Sequence, residues 1–165
     1  MQQPGFLTAC GLAAAWARLA GPLLGRRYGC DMARYVIDAP TLLHLVDGGL
    51  QIDQGHQLVA PNSIRSEALE LLLLEVRAGR RTEAAALRAH ERVTEMKLRL
   101  LGDRVSRRTA WRIARERDWD KLRDAEYLAV TRLQADALVT VDPRLAARAR
   151  DVVPVAGLDD LLAPR

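Results

Sequence analysis

Aromatic residues are scarce in this chain of 165 residues, where they make up 4% of the sequence. Since 49% of the residues are nevertheless hydrophobic, we expect Leu, Val, Ile and Ala to fill the core. The length suits one ordinary domain with its own core, and a chain with this composition needs no disulfides to fold.

Cysteine and long apolar runs are lacking as well. Neither Cys10 nor Cys30 belongs to a Cys-x-x-Cys pair or a histidine ligand pattern, so no zinc site is indicated, and a reducing cytoplasm is the expected location. No apolar run approaches the roughly 20 residues that cross a bilayer, so we expect no membrane association. Residues 6–24 are rich in Ala and Leu, but no basic segment precedes them and Arg18 interrupts them, which argues against an export signal.

Lysine is nearly absent, so arginine carries the positive charge. Lys97 and Lys121 are the only lysines, while the formal net charge is +4 and the sequence pI is about 9.6. Guanidinium groups match phosphate oxygens, so nucleic acid is a compatible partner, although many unrelated proteins share a mild basic excess. The chain has no Walker loop, no Gly-x-Gly-x-x-Gly and no nucleophile elbow, which argues against NTPases, dehydrogenases and serine hydrolases.

What the sequence does contain is an alternation of strand-like and helix-like segments. Strands are predicted at residues 34–38, 56–60, 137–141 and 152–155, and helices after Pro40 and at residues 61–78, 82–101, 107–119, 122–133 and 158–162. Residues 71–74 are all leucine, so we expect that helix to be buried on more than one side. The alternation indicates an α/β fold with a mostly parallel central sheet, whose ligands bind at the carboxyl ends of the strands.

Residues 1–32 fit this architecture poorly. Met32 directly precedes the first predicted strand. We interpret residues 1–32 as an N-terminal extension that is dispensable, or as the product of an upstream start, and residues 33–165 as the domain.

Four acidic residues lie where a purely solvated position is hardest to explain. Asp38 and Asp142 each end an apolar strand, at the edge of the sheet where ligands bind. Glu67 borders the apolar face of its helix. Asp124 opens the first turn of another helix, where the helix dipole favours a negative charge. Together these residues predict an acidic site.

Converging carboxylates require a compensating charge. Two of them about 4 Å apart repel by roughly 4 kcal/mol at an effective dielectric near 20. Either some are protonated or a cation holds them, and Mg²⁺ or Mn²⁺ is the simplest ion for such oxygen ligands. Each residue also has a structural alternative: Asp38 and Asp142 could be helix N-caps, Glu67 could pair with a nearby arginine, and Asp124 could be a plain first-turn acid.

The segments around these acids resemble the four motifs of PIN domains, with the VapC-type toxins of bacterial toxin–antitoxin pairs as the nearest subgroup. They are YVIDAPTLL around Asp38, LVAPNSIRSEAL around Glu67, RDAEYLAV around Asp124 and ALVTVDPRL around Asp142. Each motif is short, but their order and spacing over about residues 33–157 make the set specific.

The resemblance implies a three-layer α/β/α fold and Mg²⁺- or Mn²⁺-dependent cleavage of RNA phosphodiesters. By the same resemblance Asp38, Glu67, Asp124 and Asp142 form the acidic site, with Asp38 and Asp124 as direct metal ligands. Thr140 matches a position that orients the site by hydrogen bonding. A small cognate antitoxin that blocks the acidic site is also implied, as is a homodimer, whose interface we place on residues 82–101.

One position departs from the PIN pattern. The first motif often carries a small hydroxyl residue two places after the aspartate, where this chain has Pro40. We expect Thr41 to substitute imperfectly, so that a contact supporting the acids is altered while the acids themselves are kept.

A basic stripe lies outside the four motifs. Arg108, Arg112 and Arg115 recur at helical spacing, with Trp111 and Trp119 close by. Such a stripe can follow an RNA backbone while an indole stacks on a base. The alternative is a solvated basic face with the tryptophans packed into the core. We favour RNA or partner contact for the arginines and core packing for both tryptophans.

The sequence thus favours a metal-dependent endoribonuclease, the toxin component of a type II toxin–antitoxin pair. Two alternatives stay open. One is a catalytically silent PIN-like module that acts by binding alone, and the other is a nuclease acting on structured DNA.

Overall fold

The computed structural model describes residues 32–163, so the predicted N-terminal extension lies outside the described residues except for Met32. The strands are β1 (Arg34–Ile37), β2 (Gln57–Pro61), β3 (Arg99–Leu101), β4 (Ala137–Val139) and β5 (Val155–Ala156). The helices are α1 (Ala39–Gly48), α2 (Ile64–Arg77), α3 (Glu83–Glu95), α4 (Arg104–Glu116), α5 (Arg123–Gln134) and α6 (Pro143–Ala149). A 3₁₀ turn follows at Leu158–Asp160. Over this part of the chain, no helix combines the length and the apolar character that crossing a membrane requires.

The five strands form one parallel sheet in the order β3-β2-β1-β4-β5. Tyr35 of β1 lies opposite Leu58 of β2 on one side and Ala137 of β4 on the other. From β1 the chain builds β2 and β3 to one side, and then returns to build β4 and β5 on the other. The strand order therefore reverses between β1 and β4, and in open α/β sheets the ligand crevice lies at such a switch point.

The helices cover the sheet in two groups. Helices α1, α2 and α3 pack on one another, while α4 packs along α5, which lies on β1, β2 and β4. The predicted three-layer α/β/α fold is confirmed.

The core is aliphatic, as the composition predicts. Val36, Val59 and Leu138 from the three central strands are fully buried. Tyr127 of α5 is the only aromatic side chain among the buried core residues of the described chain. A buried aromatic ring is therefore unusual in this core, and the Tyr127 hydroxyl group donates to Glu67.

Helix α1 begins and ends at the residues that the sequence indicates. The Asp38 side chain caps it, and Pro40 in its first turn supplies the backbone angle that a helix requires. Gly49 ends it with a φ of 57°, in the left-handed region that favours glycine, and its N–H donates to Leu45 and Val46. The start of α1 thus fixes the direction of the Asp38 carboxylate.

The prediction of one helix over residues 82–101 is wrong. Helix α3 ends at Glu95, and Arg99–Leu101 form the edge strand β3. The residues of this segment are good helix formers, so local propensity favours a helix. Pairing with β2, which sets Arg99 opposite Val59, outweighs that preference.

The expectation for the leucine run of α2 is also wrong. Leu72 is buried, but Leu69, Leu73 and Leu74 are 43–48% exposed. Helix α2 is therefore buried on one side, and it leaves leucine side chains on the surface of the described domain.

Candidate active site

Asp38 lies directly after β1, where the strand order reverses. Its side chain is almost fully buried, and Oδ1 accepts hydrogen bonds from the Thr41 N–H at 3.0 Å and from the Thr41 hydroxyl. Oδ2 accepts from the Thr140 hydroxyl at 2.6 Å. Within residues 32–163, Asp38 forms no ion pair with a basic side chain. The carboxylate is therefore held by neutral donors alone.

Two threonine hydroxyls join the ends of β1 and β4. Thr140 Oγ1 donates to Asp38 and accepts from the Asp142 N–H at 3.0 Å. Thr41 Oγ1 donates to Asp38 and accepts from the Val141 N–H at 3.0 Å. Thr41 thus supplies the hydroxyl that the first motif lacks at its usual position.

The surroundings of Asp38 oppose its negative charge. Burial raises the pKa of the Asp38 carboxyl above its ordinary value, although the hydrogen bonds from Thr140 and Thr41 offset part of this rise. The negative charge of Asp142 raises the pKa further. A cation placed beside Asp38 would therefore be stabilised by the negative charges of Asp38 and Asp142.

The raised pKa of Asp38 predicts a pH dependence of stability. The folded chain keeps this proton to higher pH than the unfolded chain, so the stabilisation is present below about pH 4 and is lost as pH rises through the raised pKa. We expect the free energy of unfolding of Asp38→Asn, relative to the parent, to increase with pH above about 4. Urea unfolding of both proteins without metal measures this difference. A difference that stays constant with pH would show that burial does not perturb Asp38.

Glu67 reaches the same region from α2. Its Oε1 accepts from the Ser63 hydroxyl at 2.7 Å and its Oε2 from the Tyr127 hydroxyl at 2.9 Å, with Arg123 Nε 3.7 Å from Oε2. Burial raises the pKa of Tyr127, and the charges of Glu67 and Asp38 raise it further. Tyr127 therefore stays a neutral donor, because the negative charges of Glu67 and Asp38 both disfavour its ionisation.

Asp124 is held by an arginine from α6. Asp124 Oδ2 forms an ion pair with Arg148 Nη1, and the Arg148 guanidinium carbon lies 5.0 Å from the centroid of the Trp119 ring. The alternative of a plain first-turn acid is therefore incomplete, because Asp124 has a cationic partner. Arg148 is therefore positioned by both the Asp124 carboxylate and the Trp119 ring.

Asp142 caps α6 and faces an open cavity. Its Oδ1 accepts from the Arg144 N–H at 2.8 Å, and Arg144 Nε lies 3.6 Å away. Asp142 and Asp124 line a shared cavity of about 510 Å³ together with Arg148 and Trp119. Since Asp38 is also an N-cap, capping and a place in the acidic site do not exclude each other.

The four predicted acids do not converge on one point in the described domain, and their contacts relate them in pairs. Thr140 hydrogen-bonds to both Asp38 and Asp142, whereas Tyr127 donates to Glu67 and only the charge of Asp38 acts on it. The fourth acid shares the open cavity with Asp142. No group of three or more Asp, Glu, His or Cys side chains in the described part of the chain is placed to hold a metal ion.

The chemistry of these residues nevertheless fits a hard divalent cation. Carboxylate oxygens are the ligands that Mg²⁺ prefers, and Asp38 is a desolvated carboxylate without a cationic partner in the described domain. Asp38 would hold such an ion directly, and Asp124 would join it once its ion pair with Arg148 opens.

Some residues of the site escape the sequence-based predictions. Ser63 Oγ lies 3.4 Å from Glu126 Oε2, which adds a fifth acid, and the Tyr127 hydroxyl donates to Glu67. Both Glu126 and Tyr127 belong to the third motif, which could have pointed to them. Arg148 has no local signal, because its pairing with Asp124 depends on how α6 packs.

Solved structures supply the comparison with known proteins, since no family model and no curated protein matches the chain. PAE2754 from Pyrobaculum aerophilum is 27% identical with a TM-score of 0.62, over 80% of this chain and 94% of that one. VapBC-1 from nontypeable Haemophilus influenzae gives 15% identity and a TM-score of 0.51, over 75% and 97%. VapC20 of Mycobacterium tuberculosis, a Sarcin-Ricin loop cleaving toxin, gives 19% and 0.47, over 68% and 93%. The resemblance of the four motifs is confirmed at the level of the fold, which the described residues share with PAE2754 and VapBC-1.

Proposed function

We propose that this protein is a metal-dependent endoribonuclease and the toxin component of a type II toxin–antitoxin pair. The observation that carries the proposal is Asp38, a buried carboxylate without a cationic partner in the described domain, at the switch point of the sheet. The four motifs and the VapC-like fold support the same activity.

Each residue of the site has a proposed role. Asp38 and Asp124 are direct ligands of Mg²⁺ or Mn²⁺, with Glu67 and Asp142 completing the acidic set. Such an ion, when bound, supplies positive charge for the phosphodiester oxygens and acidifies water. Thr140 positions Asp38 through its hydroxyl, which donates at 2.6 Å.

The Ser63–Glu67–Tyr127 hydrogen bonds position the acid of α2. Ser63 and Tyr127 donate to the two different oxygens of Glu67, at 2.7 Å and 2.9 Å. With both donors in place the carboxylate cannot rotate freely, which is the condition for presenting one oxygen lone pair to a ligand. Tyr127 is the positioning residue in this group, because it stays a neutral donor.

The partners follow from the proposed toxin function. A cognate antitoxin would cover the acidic site, and the similarity to VapBC-1 supports a partner of this kind. We also propose a homodimer. The sequence places the dimer interface on residues 82–101, which include α3. The outer side of α3 carries mainly charged residues, whereas α2 exposes leucines.

A silent binding module is the competing function that one observation favours. Each acid already has an internal donor. Asp38 and Asp142 cap helices, Glu67 accepts from Ser63 and Tyr127, and Asp124 pairs with Arg148. In such a module the acids would be structural, and no cation would be needed.

Incubation of the purified protein with RNA tests the proposal. We expect cleavage of single-stranded RNA in Mg²⁺ or Mn²⁺, loss of cleavage in EDTA, and recovery when the metal is restored. A structured DNA of matched length serves as the second substrate. Cleavage of that DNA alone would indicate the DNA nuclease, and no cleavage of either substrate would indicate the silent module.

A further inference from the structure

Helix α4 presents a basic surface that the acidic site does not use. Its inner side is buried through Ser106, Thr109, Ala110, Ile113 and Ala114. Its outer side exposes the basic face, which we define as Arg104, Arg107, Arg108, Trp111, Arg112 and Arg115. The helix is therefore anchored on one side and free to bind on the other.

The arginines of the basic face are not neutralised within the protein. None of them forms an ion pair with an acid among residues 32–163, whereas Arg81, Arg123 and Arg148 elsewhere in the domain all do. Arg104, Arg108 and Arg112 also follow one another at four-residue spacing, where like charges destabilise a helix. An anionic ligand would remove this repulsion.

Trp111 adds an aromatic surface to these charges. Its side chain is 58% exposed, so the expectation that it packs into the core is wrong, while Trp119 is half-buried against the core and lies below Arg148. Trp111 lines an open groove of about 530 Å³ with Arg108, Arg112, Arg115 and one acid, Glu116, so three positive charges outweigh one negative charge there. An indole beside three guanidinium groups offers both stacking and phosphate contact.

The basic face leads towards the acidic site. Helix α4 ends at Glu116, and Asp118 and Trp119 just beyond it line the cavity that also contains Asp124 and Asp142. A nucleic-acid strand lying along α4 can thus continue towards these two acids.

We infer that the basic face of α4 binds single-stranded RNA, with Trp111 stacking on an unpaired base and the arginines contacting phosphates. The inference rests on the proposed ribonuclease function and adds the surface that binds its single-stranded substrate. Paired bases in a duplex are stacked on each other and not available to an indole, whereas single strands expose them. The face contains arginine and no lysine, and the guanidinium fork matches phosphate oxygens in two-point contacts.

The test measures binding separately from cleavage. A labelled single-stranded oligoribonucleotide is titrated in EDTA with the full-length parent, with an Arg108→Gln, Arg112→Gln, Arg115→Gln triple variant, and with Trp111→Ala. Arg77→Gln, Arg80→Gln, Arg88→Gln is the matched control, since these arginines are also exposed and form no ion pair within the described residues. Circular dichroism confirms that each variant is folded.

We expect the α4 triple variant to bind at least about tenfold more weakly than the control variant. The slope of log affinity against log salt should fall by about 2, since each phosphate contact on a single strand contributes about 0.7. Trp111→Ala should weaken single-strand binding by about tenfold while Trp111→Phe retains most of it, because stacking needs an aromatic face.

Two results would overturn the inference. One is equal affinity and salt slope for the α4 triple variant and the control, and the other is tighter binding of an acidic peptide or an RNA duplex than of the single strand. The proposed function fails separately, if the parent binds through α4 but cleaves no RNA with metal. If the parent cleaves RNA with metal but the α4 triple variant binds RNA as tightly as the control variant, the inference fails while the proposed function stands.

Discussion

Replacing Asp38 with Asn is expected to abolish RNA cleavage while leaving the metal-free fold at least as stable as the parent. Losing a carboxylate that holds the proposed cation would remove several kcal/mol of charge stabilisation, which corresponds to a fall in rate of about a thousandfold or more. Asn is as good an N-cap as Asp, so α1 keeps its first hydrogen bond. The substitution also removes a desolvated charge that neither Thr140 nor Thr41 neutralises.

Asp103→Asn is the matched control for Asp38→Asn. Asp103 caps α4 by accepting from the Ser106 N–H at 2.7 Å, and it carries the same charge, but it does not belong to the four acids. Cleavage and urea unfolding are measured for both variants. Full activity of Asp38→Asn that resists EDTA would show that Asp38 is a helix cap alone.

Mg²⁺ or Mn²⁺ is expected to raise the melting temperature of the parent. A ligand at a hundred times its Kd stabilises the folded state by about 2.7 kcal/mol, which for a domain of this size is a shift of about 5 °C or more. Asp124→Asn should show little of this shift. Without metal it should not gain the stability expected of Asp38→Asn, because it breaks an ion pair with Arg148.

A metal titration can also show whether Arg148 competes with the cation for Asp124. If the arginine must leave Asp124 before a cation binds, Arg148→Ala should tighten metal binding by about two- to fivefold, the range for an ion pair exposed to solvent. Arg148→Lys, which keeps the charge, is the control. The midpoint of the metal titration gives the affinity. Weaker metal binding by Arg148→Ala would show that Arg148 supports the site instead of competing for it.

Much of the site's position follows from short segments of sequence. Asp38 directly follows a β-branched strand and begins a helix at a proline, so both its place at the sheet edge and its capping role are local properties. The position of Asp142 is predictable for the same reason. Thr140 lies two residues before Asp142, which fixes the side of the strand end on which it lies.

The parts that sequence did not predict depend on contacts between distant segments. The helix formers of β3 adopt a strand because β2 offers a partner, and Arg148 reaches Asp124 because of how α6 packs. The exposure of Trp111 depends on which side of α4 faces α5. At helical spacing, Trp111 is close to both the buried and the basic residues, so periodicity does not decide between them.

The pairing of β1 with β4 has a consequence for the timing of synthesis. Asp38 and Thr140 are 102 positions apart, and every element from α1 to β4 is made between them. A nascent chain that has emerged only as far as β3 contains Asp38 and Glu67 but neither Thr140 nor Asp142, so the crevice between β1 and β4 does not exist. Long-range contacts of this kind also form late in folding. If the chain is the ribonuclease proposed above, it is expected to stay inactive on its own ribosome until the last part of the domain has emerged.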